Sequence, residues 1–318
     1  MADSPSNPHD AYFRQVLARP ADAASELRTM LPKAVAARLD WDTLVLQPCS
    51  FVSQHLRSRY SDLLFRTRLD GHEAYIYLLV EHQSRSDPLM PMRLVEYLVG
   101  IWNRYVREHP GTVTVPAVIP LVVHASRRGR RWNTPTELAD LIDIDPATRD
   151  ALGDYLPRFR FLLDDLTAHA VPALCARELT PAARVMLVLL KIAAGNPNLD
   201  TELLPLLQDL RALLAAPGGT DDLECVVTYI LTVGETSDTD LGPVIDRLGP
   251  HAKEVIVTTA QRLRAEGRAE TVLELLALKF GPLPAETAAT VRAADAAQLR
   301  SWTASVLTAT SLDEVFQQ

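Results

Sequence analysis

Three cysteines in 318 residues, Cys49, Cys175 and Cys225, are too few and too widely separated for a disulfide framework. Neither a C-x-x-C pair nor a His-rich cluster accompanies them, so the usual signature of a zinc site is missing. They read as buried free thiols. No apolar run approaches the roughly 20 residues of a membrane span, and no N-terminal apolar stretch resembles a secretory signal. A Gly-rich phosphate loop, a nucleophile elbow and a Ser/His/Asp arrangement are all lacking, as are internal repeats and low-complexity tracts. The cytoplasm is the expected compartment. An apolar content of 47% suffices for one large or two modest domains.

Net charge is −8, which by itself disfavours a nucleic-acid partner. The distribution points the other way. Residues 1–131 hold 17 Lys and Arg against 13 Asp and Glu, a balance of +4, and the remainder of the chain carries −12. Lys and Arg supply most of the sequence-independent affinity for DNA, and a local basic surface serves even on an acidic chain.

The first half carries one constellation of chemical interest. Tyr60–Leu69 and Ala74–Ser84 are rich in aromatic and branched residues and flank Asp70-Gly71, which predicts a β-hairpin. Strand alternation puts Glu81 and Gln83 on one face and His82 on the other. Asp62 lies near the start of the neighbouring strand. Two carboxylates on adjacent central strands suit a hard divalent cation, because Mg²⁺ takes one or two protein carboxylates plus water and phosphate oxygens.

The flanks predict further elements. Ala11–Leu31 has apolar residues at helical spacing and stops at Pro32; Leu44–Val52 is a short strand. Pro91 opens a helix through Val106, and Val113–His124 reads as a buried strand. The order is helix, strand, strand with Asp, strand with Glu-x-Gln, helix, strand. With His9-Asp10-Ala-Tyr-Phe13, Ser61-Asp62-Leu-Leu-Phe65, Leu79-Val-Glu-His-Gln-Ser84, Met92-Arg93-Leu-Val-Glu-Tyr97, Val118-Ile-Pro-Leu-Val-Val123 and Trp132, the chain resembles the Rpn recombination-promoting nucleases. Leu276-Ala-Leu-Lys-Phe-Gly281 and Leu312-Asp-Glu-Val-Phe316 look like endings of the same family. The resemblance is dense over residues 9–135 and patchy beyond.

That resemblance implies an α/β fold of the PD-(D/E)XK restriction-endonuclease type over residues 1–135. It also implies a link to recombination or mobile-element biology. Within it, Asp62 and Glu81 would bind Mg²⁺, with Mn²⁺ as a substitute, together with the backbone carbonyl of His82. Gln83 stands where the superfamily has Lys, a replacement that looks normal for the Rpn group. Its amide can orient water but cannot offset charge, so electrostatic stabilisation falls on the metal or on Arg93. Arg93 and Tyr97 share a helix face and read either as holders of the scissile phosphate or as plain helix surface. Asp10 is readable as a further metal contact or, with His9, as an ordinary helix N-cap. Arg127, Arg128, Arg130 and Arg131, around Gly129, suit bidentate phosphate contact or form a solvated loop. His82 reads as a packed residue, and His124 ends its strand with no assigned role.

Residues 136–235 read as a helical extension packed on the core, with helices at Ala182–Ala194, Glu202–Ala216 and Asp221–Val233. Glu235–Pro250 is the candidate linker. Residues 251–318 read as a C-terminal helical segment suited to dimerisation or partner contact. The expected function is metal-dependent cleavage of DNA. The alternatives are a nuclease-like DNA-binding protein with weak catalysis and a protein-interaction module with a vestigial site.

Overall fold

A computed structural model describes residues 7–48, 61–81, 86–126 and 128–316, with the backbone alone at 61, 62, 80 and 81. Two helices open the chain, α1 (Pro8–Leu17) and α2 (Pro20–Met30). The single helix expected over 11–31 is broken because Arg19 precedes Pro20 and takes an extended conformation, φ −79° and ψ 121°, as a residue before proline must. Strands β1 (Leu39–Gln47), β2 (Ser61–Leu69) and β3 (His72–Glu81) follow, then helix α4 after the short turn α3 (Lys33–Ala36) that precedes β1. Helix α4 spans Met90–Glu108, β4 spans Ala117–His124 and β5 spans Leu162–Asp165. Positions 49–52 of the expected strand at 44–52 lie outside the described residues.

The sheet order is β1-β2-β3-β4-β5. The first three strands are antiparallel neighbours, whereas β4 and β5 run parallel to β3. The β2–β3 connection is Asp70-Gly71, with φ of 49° and 80°. Positive φ at both central residues is the type I′ geometry that matches strand twist, and Gly71 adopts it without steric cost. Strand β4 starts at Ala117 rather than at the expected Val113, which is 96% exposed; Pro116 has no N–H to give a ladder. Strand β5 was not expected, since the sequence after 132 reads as helical. Its four residues are too few to show a period, and β4 supplies the pairing that makes them a strand.

Alternation assigns each sheet face. Leu64, Tyr75, Tyr77, Leu79 and Val122 bury one face against Met90, Leu94, Tyr97 and Ile101 of α4, residues spaced as one helical stripe. Leu63, Phe65, Ala74, Ile76 and Leu78 occupy the other face and are almost wholly buried. Helix α1 packs on β2 and on helices α5 (Pro181–Ile192) and α7 (Gly219–Val233). Helix α6 (Leu207–Ala215) lies between α5 and α7 in sequence and packs on both.

The chain forms two compact units that meet in sequence at Leu248/Gly249. Residues 249–318 have their own core, in which Val272 and Leu276 of α8 (Pro250–Phe280) meet Val291 of α9 (Ala285–Ala293) and Trp302 of α10 (Ala296–Thr308). Among the described residues, no helix is long and apolar enough to cross a membrane.

Candidate metal and nucleic-acid site

The backbone register sets positions 62 and 81 on one sheet face. Asp62 of β2 is opposite Leu79 of β3, and Glu81, two residues further along β3, is opposite His124 of β4. Positions 62, 79, 81, 122 and 124 therefore belong to one sheet face, the one covered by α4. Adjacent strands run about 4.8 Å apart. Glu81, His124 and Asp165 end the parallel strands β3, β4 and β5 side by side, and the carboxyl ends of parallel strands are where open α/β sheets bind ligands. His82, Gln83 and Arg127 lie outside the described residues.

His124 is 1% exposed. Its Nε2 is 3.1 Å from the Arg130 carbonyl, and its ring meets Trp132 edge-on at 5.3 Å. Its Nδ1 has no hydrogen-bond partner among the described residues, and neither has the buried Oγ of Ser126, two residues on. Asp165, by contrast, is saturated. Its Oδ2 accepts from the Trp132 N–H at 2.9 Å, and its Oδ1 accepts from the N–H and hydroxyl of Thr167 at 3.0 and 2.6 Å. Arg128, Arg130 and Arg131 are exposed, on a loop whose turn at Gly129 has φ 62°.

Arg93 pairs with Asp87 at 2.5 Å, and Ser86 Oγ donates to Asn133 Oδ1 at 2.7 Å. These bonds stitch the start of α4 to the strand-end loops. Tyr97 is a correction. It is 2% exposed and its ring meets that of Tyr77 at 4.8 Å between centroids, tilted by 30°, so it packs α4 on the sheet instead of lying on the helix surface. The expected N-cap role of Asp10 is also corrected. Asn7 caps α1, its side chain accepting from the His9 N–H, while His9 Nδ1 is 2.7 Å from the Tyr229 hydroxyl. Asp10 sits in the first turn with its carboxyl pushed up to about 6 by burial, against a lowering pull from Arg14. Cys175 and Cys225 are half-buried rather than buried, and burial raises both thiols; Cys49 lies outside the described residues.

Among the described residues, no group of three or more His, Cys, Asp or Glu side chains forms a cation site. The fit of a divalent ion rests instead on the shared face of positions 62 and 81 and on the unpartnered acceptor of His124 beside position 81. Further along the same face of β2, Arg66 and Arg68 are exposed. They line an open groove of about 670 Å³ with Thr43, Val45 and Glu73. The sequence reading left His124 without a role, since a lone strand-end histidine carries no signal until its neighbours are known.

Residues 7–216 match the family described as "Putative transposase, YhgA-like". The chain belongs to that family. Among relatives of this YhgA-like group, "Recombination-promoting nuclease RpnD" of Escherichia coli O157:H7 is 30% identical over 262 residues, covering 81% of this chain and 94% of that protein. "Recombination-promoting nuclease RpnA" of Escherichia coli (strain K12) is 29% identical, covering 85% of this chain and 88% of the relative. "Inactive recombination-promoting nuclease-like protein RpnE" of Escherichia coli (strain K12) is 32% identical, covering 82% and 83%. The relatives of this chain thus include ones named as nucleases and one named inactive, at nearly equal identity to it. No match was found among solved structures.

Proposed function

We propose that this chain is a metal-dependent DNA endonuclease of the PD-(D/E)XK type, acting in recombination or mobile-element biology. The observation that supports this most is the register that sets Asp62 and Glu81 on one sheet face, at the end where the parallel strands stop. The relatives named recombination-promoting nucleases support the same reading.

In this reading Asp62, Glu81 and the His82 carbonyl hold Mg²⁺ or Mn²⁺, which when bound acidifies a water and polarises the phosphoryl oxygen. Gln83 orients the attacking water through its amide. Arg128, Arg130 and Arg131 bind the phosphate backbone at the mouth of the site, and Arg93, held by Asp87, steadies the entrance of α4.

The test is plasmid cleavage across Mg²⁺, Mn²⁺, Ca²⁺ and chelator, with Asp62→Ala and Glu81→Ala as controls. Both variants are expected to stay folded by circular dichroism and to lose cleavage by at least ~100-fold, the scale of losing an electrostatic catalytic group. Metal-free DNA affinity should hold or rise slightly, because a negative charge facing phosphate is gone. Wild-type cleavage by either variant sinks the reading. A second reading, DNA binding without catalysis, is favoured by the relative named inactive and by the uncharged Gln83. Gel retardation without nicking in any metal would select it.

A further inference from the structure

We propose that Nδ1 of His124 is a nitrogen ligand of the divalent cation at the strand ends, and that it tilts this site toward first-row transition ions over Mg²⁺. The proposal rests on the nuclease reading above and adds a ligand to its site.

The ring's protonation follows from its one described hydrogen bond. Nε2 is 3.1 Å from the Arg130 carbonyl, and a carbonyl only accepts, so Nε2 carries the hydrogen. With Nε2 as the donor, Nδ1 is the ring atom left to offer a lone pair. That atom is buried and has no partner among the described residues. A buried acceptor without a partner forfeits the hydrogen bond it had in water. The bond to the Arg130 carbonyl accounts for Nε2, but among the described residues no structural partner accounts for Nδ1.

Position supplies the rest. His124 is opposite Glu81 in the β3–β4 ladder and shares the sheet face of position 62. Imidazoles bound to metals commonly give their second ring N–H to a backbone carbonyl, which fixes the tautomer and the ring plane. The Arg130 carbonyl does this for His124. Trp132, whose N–H is held by Asp165, braces the ring edge-on. An imidazole nitrogen is a softer donor than a carboxylate oxygen, and it favours transition ions over Mg²⁺.

The experiment uses the full chain and Mn²⁺ as the paramagnetic probe. Mn²⁺ binding is titrated by electron paramagnetic resonance, with Mg²⁺ as competitor, for wild type, His124→Ala, His124→Gln, Asp62→Ala and Glu81→Ala. Electron spin-echo modulation of bound Mn²⁺ reads directly whether a nitrogen is coordinated. The wild-type spectrum is expected to show ¹⁴N coupling that both His124 variants lose. Their preference for Mn²⁺ over Mg²⁺ should fall at least ~10-fold, the size of effect seen when a metal site loses a supporting group. The wild-type echo measurement keeps the test decisive if a His124 variant fails to fold. Bound Mn²⁺ that depends on Asp62 and Glu81 but shows no nitrogen coupling overturns this proposal and leaves the nuclease reading standing. Absence of Mn²⁺ binding, or binding indifferent to Asp62 and Glu81, overturns both.

Discussion

A glutamine amide donates hydrogen bonds but carries no charge, so position 83 separates two roles that a lysine combines. If Gln83 orients the attacking water, Gln83→Ala lowers the single-turnover cleavage rate well beyond any change in DNA affinity. Gln83→Lys restores charge about where it develops on the phosphate, a contribution often worth ~3 kcal/mol, and is expected to retain or raise the rate. A folded but inactive Gln83→Lys would mean that the site is built around the amide. At this scale the sequence pattern anticipated one thing, the backbone register that sets positions 62 and 81 on a single sheet face. It was silent on His124, whose unpartnered nitrogen is created by the Arg130 carbonyl and the burial around it. It misplaced Tyr97, because helical spacing gives a face without saying which face turns inward.

Between elements, the sheet face opposite α4 holds a buried ionic cluster. Glu26 of α2 and Asp164 of β5 are both fully buried. Arg177 holds Asp164 bidentately at 2.7 and 2.8 Å and stands 3.7 Å from Glu26. Burial, and then the neighbouring Asp164 carboxylate, push the Glu26 carboxyl well above its usual range. The folded chain thus keeps Glu26 protonated at pH values where the unfolded chain has lost that proton. The resulting stability is complete below the ordinary glutamate range and drains away as pH rises through the raised folded value. Glu26→Gln, which mimics the protonated form, should therefore flatten the pH dependence and be more stable than wild type at neutral pH. The expected gain is at least ~1 kcal/mol, the worth of one pKa unit. Calorimetric Tm values from pH 4 to 8 check this; parallel curves would refute it. The core strands and α4 were legible because each has a long apolar period. Strand β5 was not, since its strand character comes from pairing with β4, and the helix break at Arg19-Pro20 was lost inside a continuous apolar stripe.

For the molecule as a whole, two units with separate cores predict that limited proteolysis cuts first near Gly249 and leaves two resistant fragments, identified by mass spectrometry. Early cuts within 262–300 would contradict this. If the C-terminal helices carry a homodimer contact, light scattering should give the 1–248 fragment half the subunit number of the full chain, whereas an unchanged subunit number would exclude it. Within the larger unit, the N-terminal helices are tied to partners far along the chain. His9 meets Tyr229, Tyr12 stacks on Tyr229 at 4.5 Å, Arg19 pairs with Asp222 at 2.6 Å, and the Thr180 hydroxyl donates to Asp22 at 2.5 Å. During synthesis at ~5–20 residues per second, α1 and α2 leave the ribosome roughly 10–40 s before Asp222 and Tyr229 exist. The Tyr12 ring must wait for its Tyr229 partner for that time. The same order of events delays assembly of the candidate site's surroundings until most of the larger unit has been made.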